Sequence, residues 1–115
     1  MRVKLSLYHL STLEREFDLE RYPWIIGRSS SADLCLNDRW ASRQHCELTV
    51  EDGLLVVRDL DSTHGTLIND RPISKAVLQP GDRLGVGLSC FVVDYAVDNQ
   101  SASDTLEIVC RRDGA

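Results

Sequence analysis

Residues 46–57 read CELTVEDGLLVV, and this stretch decides the fold class. Cys46 to Val50 and Leu54 to Val57 are two β-rich runs. Glu51-Asp52-Gly53 lies between them, and Asp-Gly between two β-rich runs is a strong signal for a two-residue hairpin turn. The stretch therefore predicts two antiparallel strands joined by a tight turn.

The same pattern continues in both directions from this hairpin. Val3, Leu5 and Leu7 alternate with other residues, which is the two-residue repeat of a half-buried strand. Many short strands with a turn about every ten residues, and no sustained helical periodicity, predict an antiparallel β-sandwich or barrel. The further β-rich runs are Phe17 to Leu19, Trp24 to Ile26, Leu34 to Leu36, Thr66 to Ile68 and Leu84 to Tyr95, with turn residues at 11–12, 69–72 and 80–82.

The length of 115 residues fits one domain with a substantial core, and we assign residues 1–97 to it. Residues 98–115 begin with a polar run that lacks core-forming side chains, so we expect a polar tail or linker there. The alternating apolar residues of 105–110 could add one further strand. Thr105 is a candidate phosphorylation site, and the alternative is an unmodified residue that begins an edge strand.

Composition excludes several classes of function. The net charge of −5 argues against a nucleic-acid binder, but it leaves room for a local basic pocket, because salt screens charges beyond about 8 Å.

The four cysteines are scattered, with Cys35 and Cys90 inside apolar runs, so we expect small buried thiols and neither a metal site nor a redox pair. We expect no cofactor. No apolar stretch is long enough for a membrane span, and we expect a cytoplasmic protein.

Three polar segments follow or precede predicted strands, at residues 27–31, 40–45 and 61–66. Each lies between two strand signals, so each is expected to be a connecting loop. Loops of a sandwich gather at its two ends, and polar loops on a rigid frame are where binding groups usually lie. The sequence therefore predicts a binding site built from these three segments.

The side chains in these segments suit a phosphate monoester. Arg28 and Arg43 provide planar cations that can bind phosphate through two hydrogen bonds each. Ser42, Ser62 and Thr63 provide hydroxyl donors. A phosphothreonine carries a charge of about −1.5 to −2 with three strong acceptor oxygens, so two arginines and two hydroxyls are a sensible complement.

The order and spacing of these motifs resemble the signature of the forkhead-associated (FHA) domain family. The resemblance covers about residues 22–95 and implies a β-sandwich of the FHA/SMAD type, with about eleven short strands and the ligand loops at one end. Its parts are Gly27-Arg28, Ser42-x-x-His45, Ser62-Thr63-x-Gly65-Thr66 with Asn69 three residues on, and residues 78–87, which are similar to the family's closing strand pair.

The resemblance implies a role for each matching residue. Arg28 and Ser42 match the main phosphate ligands, Thr63 matches a third, and Arg43 matches a supplementary cation. Four other residues are expected to support the loops. These are His45, a buried histidine that ties the loops together, Gly27 and Gly65, where the backbone must bend tightly, and Asn69.

Two residues are expected to contact the peptide beside the phosphate, together with Ser62. His64 stands where the family most often has Asn, whose amide braces the peptide backbone. If the imidazole takes over that contact, affinity should depend on pH near 6.5, where histidine ordinarily titrates. Trp40 aligns with a loop side chain that reads the peptide three residues beyond the phosphothreonine, and an indole would favour an apolar residue there.

The resulting hypothesis is a monomeric module that binds a phosphothreonine-containing partner, or its own tail, downstream of a Ser/Thr kinase. The alternative is a phosphate-independent interaction scaffold whose pocket is weakened by His64. A further alternative for Arg28 is a surface ion pair with Asp33 or Asp38. A hydrolytic triad from Ser62, His64 and Asp61 is disfavoured, because three near neighbours on one loop cannot adopt the required geometry, so no enzyme is expected.

Overall fold

The computed structural model describes residues 2–96. These residues form no helix, and so none that is long and apolar enough to cross a membrane. They form eleven strands, as expected. The strands are β1 Val3–His9, β2 Thr12–Leu19, β3 Trp24–Gly27, β4 Leu34–Cys35, β5 Cys46–Glu51, β6 Leu54–Asp59, β7 Thr66–Ile68, β8 Arg71–Ile73, β9 Lys75–Leu78, β10 Arg83–Val86 and β11 Ser89–Tyr95.

The strands are arranged in two sheets, which confirms the predicted sandwich. One sheet has the order β2-β1-β11-β10-β7-β8 and the other has the order β4-β3-β5-β6-β9. The hairpin predicted from residues 46–57 is present, with Glu51 paired to Leu54. One pair departs from the antiparallel expectation, because the two-residue β4 runs parallel to β3, with Ile26 opposite Leu34.

Alternating residues of both sheets form the core. Leu5, Ile26, Leu48, Leu84 and Phe91 are all fully buried. Burying a side chain of this size stabilises the fold by about 1.5–3 kcal/mol, so these residues fix which face of each strand points inward. These buried side chains therefore hold together the two sheets that carry the loops.

The long β-rich run from Leu84 to Tyr95 is divided in the structure. It forms β10 and β11, which are joined by a turn at Gly87, whose φ is +61°. Residues 71–78, for which the β-rich runs predicted no strand, form β8 and β9. The predicted tail, with its candidate strand at 105–110 and Thr105, lies outside the described residues.

The expectation of small buried thiols is only partly met. Cys46 is buried, and that burial, together with the nearby Asp59 charge, raises its pKa to about 12. Cys35 is exposed and Cys90 is half-buried, so two thiols inside apolar runs are not enclosed by the core. Residues 2–96 bring together no group of three or more His, Cys, Asp or Glu side chains that could hold a metal ion.

Strand pairing places the three predicted segments at one end of the sandwich. Cys46, at the start of β5, pairs with Ile26 near the end of β3 and with Asp59 at the end of β6. We call residues 28–33 the first loop, residues 36–45 the second loop and residues 60–65 the third loop. All three leave or enter the sheets at this end, which we call the loop end.

Candidate functional site

Backbone hydrogen bonds join the first loop to the second. Arg28 N donates to Ser42 O at 2.9 Å, and Ser29 N donates to Arg43 O at 3.0 Å. Gly27 makes this approach possible, because a Cβ at that position would lie 2.1 Å from Arg43 O. The reason for glycine at 27 is therefore the close approach of the second loop, and not the tight bend expected from the sequence.

His45 joins the second loop to the third. Its ring is fully buried, and its Nδ1 accepts a hydrogen bond from Ser42 N at 3.0 Å. Because Nδ1 is an acceptor, the ring proton lies on Nε2, which donates to Gly65 O at 2.8 Å. The imidazole therefore acts as a cross-link between two loops and has no nitrogen left for a ligand.

The Ser42 side chain makes a second connection to the third loop. Its Oγ accepts a hydrogen bond from Thr63 N at 3.0 Å. A hydroxyl has one proton and two lone pairs, so this contact leaves the Ser42 proton available for donation to an acceptor. The Thr63 side chain is exposed beside it.

Arg28 is exposed and anchored by one of its nitrogens. Nε donates to Ala41 O at 3.1 Å, which leaves both terminal amino groups of the guanidinium for other acceptors. No carboxylate of residues 2–96 forms an ion pair with it. The two carboxylates that the sequence offered as ion-pair partners of Arg28 have other partners. Asp33 accepts from Arg21 at 3.4 Å, and Asp38 accepts from Trp40 N at 2.9 Å.

The third loop is shaped by Asp59, which the sequence analysis did not single out. Its carboxylate accepts from Ser62 N at 3.1 Å, Ser62 Oγ at 2.5 Å and Thr66 Oγ1 at 2.6 Å. Partial burial raises the pKa of Asp59, but the hydrogen bonds from Ser62 and Thr66 outweigh it and hold the pKa below its usual value. Gly65, with φ at +87°, allows the loop to turn back into β7.

Ser62 and Asn69 have partners that differ from those expected. Ser62 Oγ donates to Asp59 and accepts from Gly65 N at 2.9 Å, so its one proton is committed within the loop. Asn69 lies at the other end of the three-residue β7. Its side chain donates to Asp82 at 3.0 Å and accepts from Arg83 N at 2.9 Å. Asn69 therefore supports the turn before β10 and not the three loops at the loop end.

Trp40 and His64 meet at the rim of the site. Their ring centroids are 5.1 Å apart with an interplanar angle of 76°, an edge-to-face arrangement. Trp40 is 46% exposed, and His64 is also exposed. The second and third loops thus form one continuous surface beyond Arg28 and Ser42.

Asp38 and Gly87 fix this rim, a role that the sequence analysis assigned to neither residue. Asp38 accepts from Trp40 N at 2.9 Å, Leu88 N at 2.9 Å and Ser89 Oγ at 2.8 Å. A Cβ at Gly87 would lie 2.8 Å from both Asp38 carboxylate oxygens, so only glycine fits there. An aspartate two residues before Trp40 is a recognisable capping signal, but its partners Leu88, in the turn before β11, and Ser89, at the start of β11, are about fifty positions away in sequence.

The loop end therefore brings together groups that are chemically able to bind an anion. Two exposed arginines, Arg28 and Arg43, lie on loops whose backbones are bonded to each other. The hydroxyl of Ser42 has a free proton, and the exposed Thr63 is held against it. Charge-assisted hydrogen bonds from such groups are the usual means of binding a phosphate.

Comparison with known proteins agrees with this geometry. A family model described as the FHA domain matches residues 24–87. The glycogen accumulation regulator GarA of Mycolicibacterium smegmatis is 39% identical over 71 residues, which are 62% of this chain and 45% of that protein. FhaA of Mycobacterium tuberculosis, an FHA domain-containing protein, is 34% identical over 79 residues, which are 69% of this chain and 15% of that protein. The chain thus spans less than half the length of either relative.

Solved structures give the same result. One comes from a "structural and functional analysis of phosphothreonine-dependent FHA domain interactions", with a TM-score of 0.75 and 32% identity over 84% of this chain and 98% of that chain. Another is the FhaA FHA domain complexed with the intracellular domain of Rv3910, with a TM-score of 0.71 and 34% identity over 79% of this chain and 98% of that chain. The sequence match, the sandwich and the three joined loops lead to one conclusion. The chain belongs to the FHA domain family.

Proposed function

We propose that this chain binds phosphothreonine-containing segments of partner proteins at the loop end. The observation that carries the proposal is that the Arg28 guanidinium and the Ser42 hydroxyl, both able to donate to a phosphate, lie on two loops whose backbones are hydrogen-bonded at these two residues. The guanidinium has two free amino groups and no carboxylate partner within residues 2–96, and the neighbouring hydroxyl keeps its proton. Both are held by hydrogen bonds to other loops, so little ordering is needed when a phosphate binds.

Four further residues extend this site. Thr63 follows from the family resemblance as a third phosphate ligand, and its backbone is already bonded to Ser42. Arg43 is exposed on the second loop and adds a second cation. His64 and Trp40 form the adjoining rim, where they would contact the peptide chain on one side of the phosphate.

The biological role that we propose is regulatory and not catalytic. A Ser/Thr kinase would phosphorylate the partner, or Thr105 of this chain's own tail, and the module would capture the product in the cytoplasm as a monomer. Relatives named as a glycogen accumulation regulator and as an oxoglutarate dehydrogenase inhibitor support a role in which binding controls another protein. Ser62, His64 and Asp61 remain on one short loop, which offers no geometry for hydrolysis.

Calorimetric titration of a degenerate phosphothreonine peptide pool tests the proposal. Its phosphoserine and unphosphorylated versions are titrated in parallel against wild type, Arg28→Ala and Arg71→Ala. Arg71 is an exposed arginine on β8, so its variant controls for the loss of one positive charge. One charge-assisted bond to phosphate contributes about 1.5–3 kcal/mol, or roughly ten- to a hundred-fold in affinity.

We expect binding of the phosphothreonine pool by wild type and by Arg71→Ala, and none detectable by Arg28→Ala. Binding that survives in Arg28→Ala, or that does not require the phosphate, would contradict the proposal. That result would favour the phosphate-independent scaffold instead.

A further inference from the structure

Three consecutive serines follow Arg28 in the first loop. Ala32 N donates to Ser29 O at 3.0 Å, which closes a β-turn with Ser30 and Ser31 at its two central positions. Both central side chains are exposed, whereas Ser29 is half-buried. The tip of the first loop therefore presents serine side chains to the solvent.

Within residues 2–96, Ser30 is the one of these three serines whose hydroxyl has no partner. The hydroxyls of Ser29 and Ser31 are hydrogen-bonded to each other at 2.8 Å. Ser29 Oγ also accepts from Ser31 N at 3.1 Å, and this contact holds the shape of the turn. Ser30 Oγ forms no hydrogen bond with any group in the described part of the chain, so it is open to an enzyme that modifies hydroxyls.

The backbone holds this turn against the proposed phosphate site. Arg28 N and Ser29 N donate to the carbonyls of Ser42 and Arg43 in the second loop, at 2.9 and 3.0 Å. Ser30 is the next residue after this connection, and two peptide units place its Cα within about 7 Å of the Arg28 Cα. A phosphate on Ser30 would therefore lie at the wall of the site.

The free charge of Arg28 determines what such a phosphate would do. Both terminal amino groups of the guanidinium are available, and no carboxylate of residues 2–96 forms an ion pair with it. A phosphoserine carries a charge of about −1.5 to −2, and beside a free arginine it forms about one to three charge-assisted hydrogen bonds. Because it belongs to the same chain, its effective concentration at the guanidinium is in roughly the millimolar range. It would neutralise Arg28 and repel the phosphate of an incoming peptide.

We propose that Ser30 is a regulatory phosphorylation site, and that its phosphate closes the loop end to phosphothreonine partners. The phosphate acts on the wall of the site through its charge. It lies too near Arg28 in sequence to be held in the extended manner of a peptide ligand. This inference rests on the proposed function, because it names the regulation of the same site.

The modification is a phosphoryl transfer from ATP, catalysed by a Ser/Thr protein kinase. Ser30 Oγ forms a bond to the γ-phosphorus, the bond between that phosphorus and the β,γ-bridging oxygen breaks, and ADP leaves. The hydroxyl proton passes to a base of the kinase. A phosphatase restores the hydroxyl with one water molecule and releases inorganic phosphate. The proposed function already places the chain downstream of a kinase of this class.

The full chain with phosphoserine incorporated at position 30 tests the inference. A second preparation carries phosphoserine at position 74 as a matched control, because Ser74 is also exposed and lies on the link between β8 and β9. Both are made in the wild-type chain and in Arg28→Ala. Calorimetry measures the affinity for a phosphothreonine peptide. ³¹P NMR measures the second pKa of each phosphoserine, which is ordinarily about 6.

We expect phosphoserine at position 30 to lower the affinity for the peptide at least about ten-fold, because the bond from Arg28 to the ligand phosphate is lost. Phosphoserine at position 74 should leave the affinity unchanged. The second pKa of the phosphate should be lower at position 30 than at position 74, since a neighbouring cation favours the dianion, and Arg28→Ala should reduce this difference. Equal affinities, or equal pKa values at the two positions, would overturn the inference.

The outcomes separate the two proposals. If the peptide binds the unmodified chain and both phosphorylated chains equally, only the regulation through Ser30 is overturned. If the peptide binds none of them, the proposed function fails and the regulation fails with it. Phosphopeptide mapping of the chain isolated from its native cells under phosphatase inhibition tests whether the modification occurs. We expect a phosphorylated fraction at Ser30, and its absence would also overturn the inference.

Discussion

At the scale of single residues, the site depends on side chains that support one another. Ser42 Oγ accepts from Thr63 N at 3.0 Å, while the Ser42 backbone N–H donates to His45 and its carbonyl accepts from Arg28 N. One serine thus contacts all three loops. Removal of its hydroxyl should therefore lower both the affinity for phosphate and the stability of the loops.

Ser42→Ala should lower phosphothreonine affinity at least ten-fold and lower the free energy of unfolding by about 1 kcal/mol. The first effect follows from the loss of a donor to the phosphate, and the second from the Thr63 N–H that loses its acceptor. Titration calorimetry and urea unfolding measure the two. Ser30→Ala, an exposed serine on the first loop, is the control and should change neither. Unchanged affinity in Ser42→Ala would remove Ser42 from the site.

At the scale of structural elements, the sequence predicted most strands and the order of the loops. Strands with alternation, such as β1 and β5, could be recognised because one face of each is buried, whereas β6 could be recognised from its continuous apolar run. The division between β10 and β11 was also visible in principle. Leu84 and Val86 point inward at even positions, whereas Phe91, Val93 and Tyr95 do so at odd positions, and such a change of phase requires a turn.

Other elements could not be recognised, for physical reasons. Among the residues of β8 and β9, only Leu78 is fully buried, so there is almost no alternation to detect. The roles of Asp38 and Asp59 depend on partners that the fold brings close. The ligand set could be proposed because it follows a local pattern, but the reason for glycine at position 27, the close approach of Arg43 O, depends on how the loops pack.

Because of a carboxylate that shapes the third loop, the free energy of unfolding should decrease at low pH. Its hydrogen bonds hold the pKa of Asp59 below the value of an unfolded chain, so the charged form stabilises the fold above about pH 4. This stabilisation is lost as pH falls through the lowered pKa and the carboxylate becomes protonated. Asp38, whose pKa is also lowered by its hydrogen bonds against the effect of burial, acts in the same direction.

Asp59→Asn should therefore cost about 1–3 kcal/mol of unfolding free energy at pH 7, and the difference from wild type should shrink between pH 4 and pH 2. Urea unfolding at several pH values measures it. Asp94→Asn, on the exposed face of β11, should behave like wild type throughout. A difference that stays constant down to pH 2 would show that the charge of Asp59 does not matter.

At the β1–β2 turn, a substitution is expected to raise the free energy of unfolding instead of lowering it. Leu10→Asn should raise the unfolding free energy by about 0.5–1 kcal/mol, because Asn adopts the positive φ of this turn more readily than Leu. Thermal unfolding measures the change. The substitution Asn69→Leu, at the first position of the equivalent β7–β8 turn, should lower stability. A lower stability of Leu10→Asn would mean that Leu10 contributes packing that outweighs its strain.

At the scale of the whole molecule, an acidic chain carries arginines at its loop end that form no ion pair within residues 2–96. The net charge is −5, yet Arg15, Arg28, Arg39 and Arg43 all lie at or beside the loop end. Physiological salt screens the distant acidic residues, so a phosphate at the loop end interacts mainly with these arginines. Added salt should also weaken phosphopeptide binding, because it screens the attraction between the phosphate and these arginines.

The core should be complete without the tail. Among the described residues 2–96, the hydrophobic core extends from Val3 to Tyr95 and encloses both sheets. A chain of residues 1–97 should therefore unfold at the same urea concentration, and with the same slope, as the full 115-residue chain. A loss of more than about 1 kcal/mol on truncation would show that residues 98–115 pack against the domain, and the predicted boundary at 97 would be wrong.

An NMR titration of ¹⁵N-labelled protein with a phosphothreonine peptide would show directly whether the loop end binds phosphothreonine. We expect the largest amide shifts on residues 28–31, 40–45 and 62–65, and none with the unphosphorylated peptide. Shifts that fall instead on the outer faces of the sheets, and that appear equally with the unphosphorylated peptide, would contradict it.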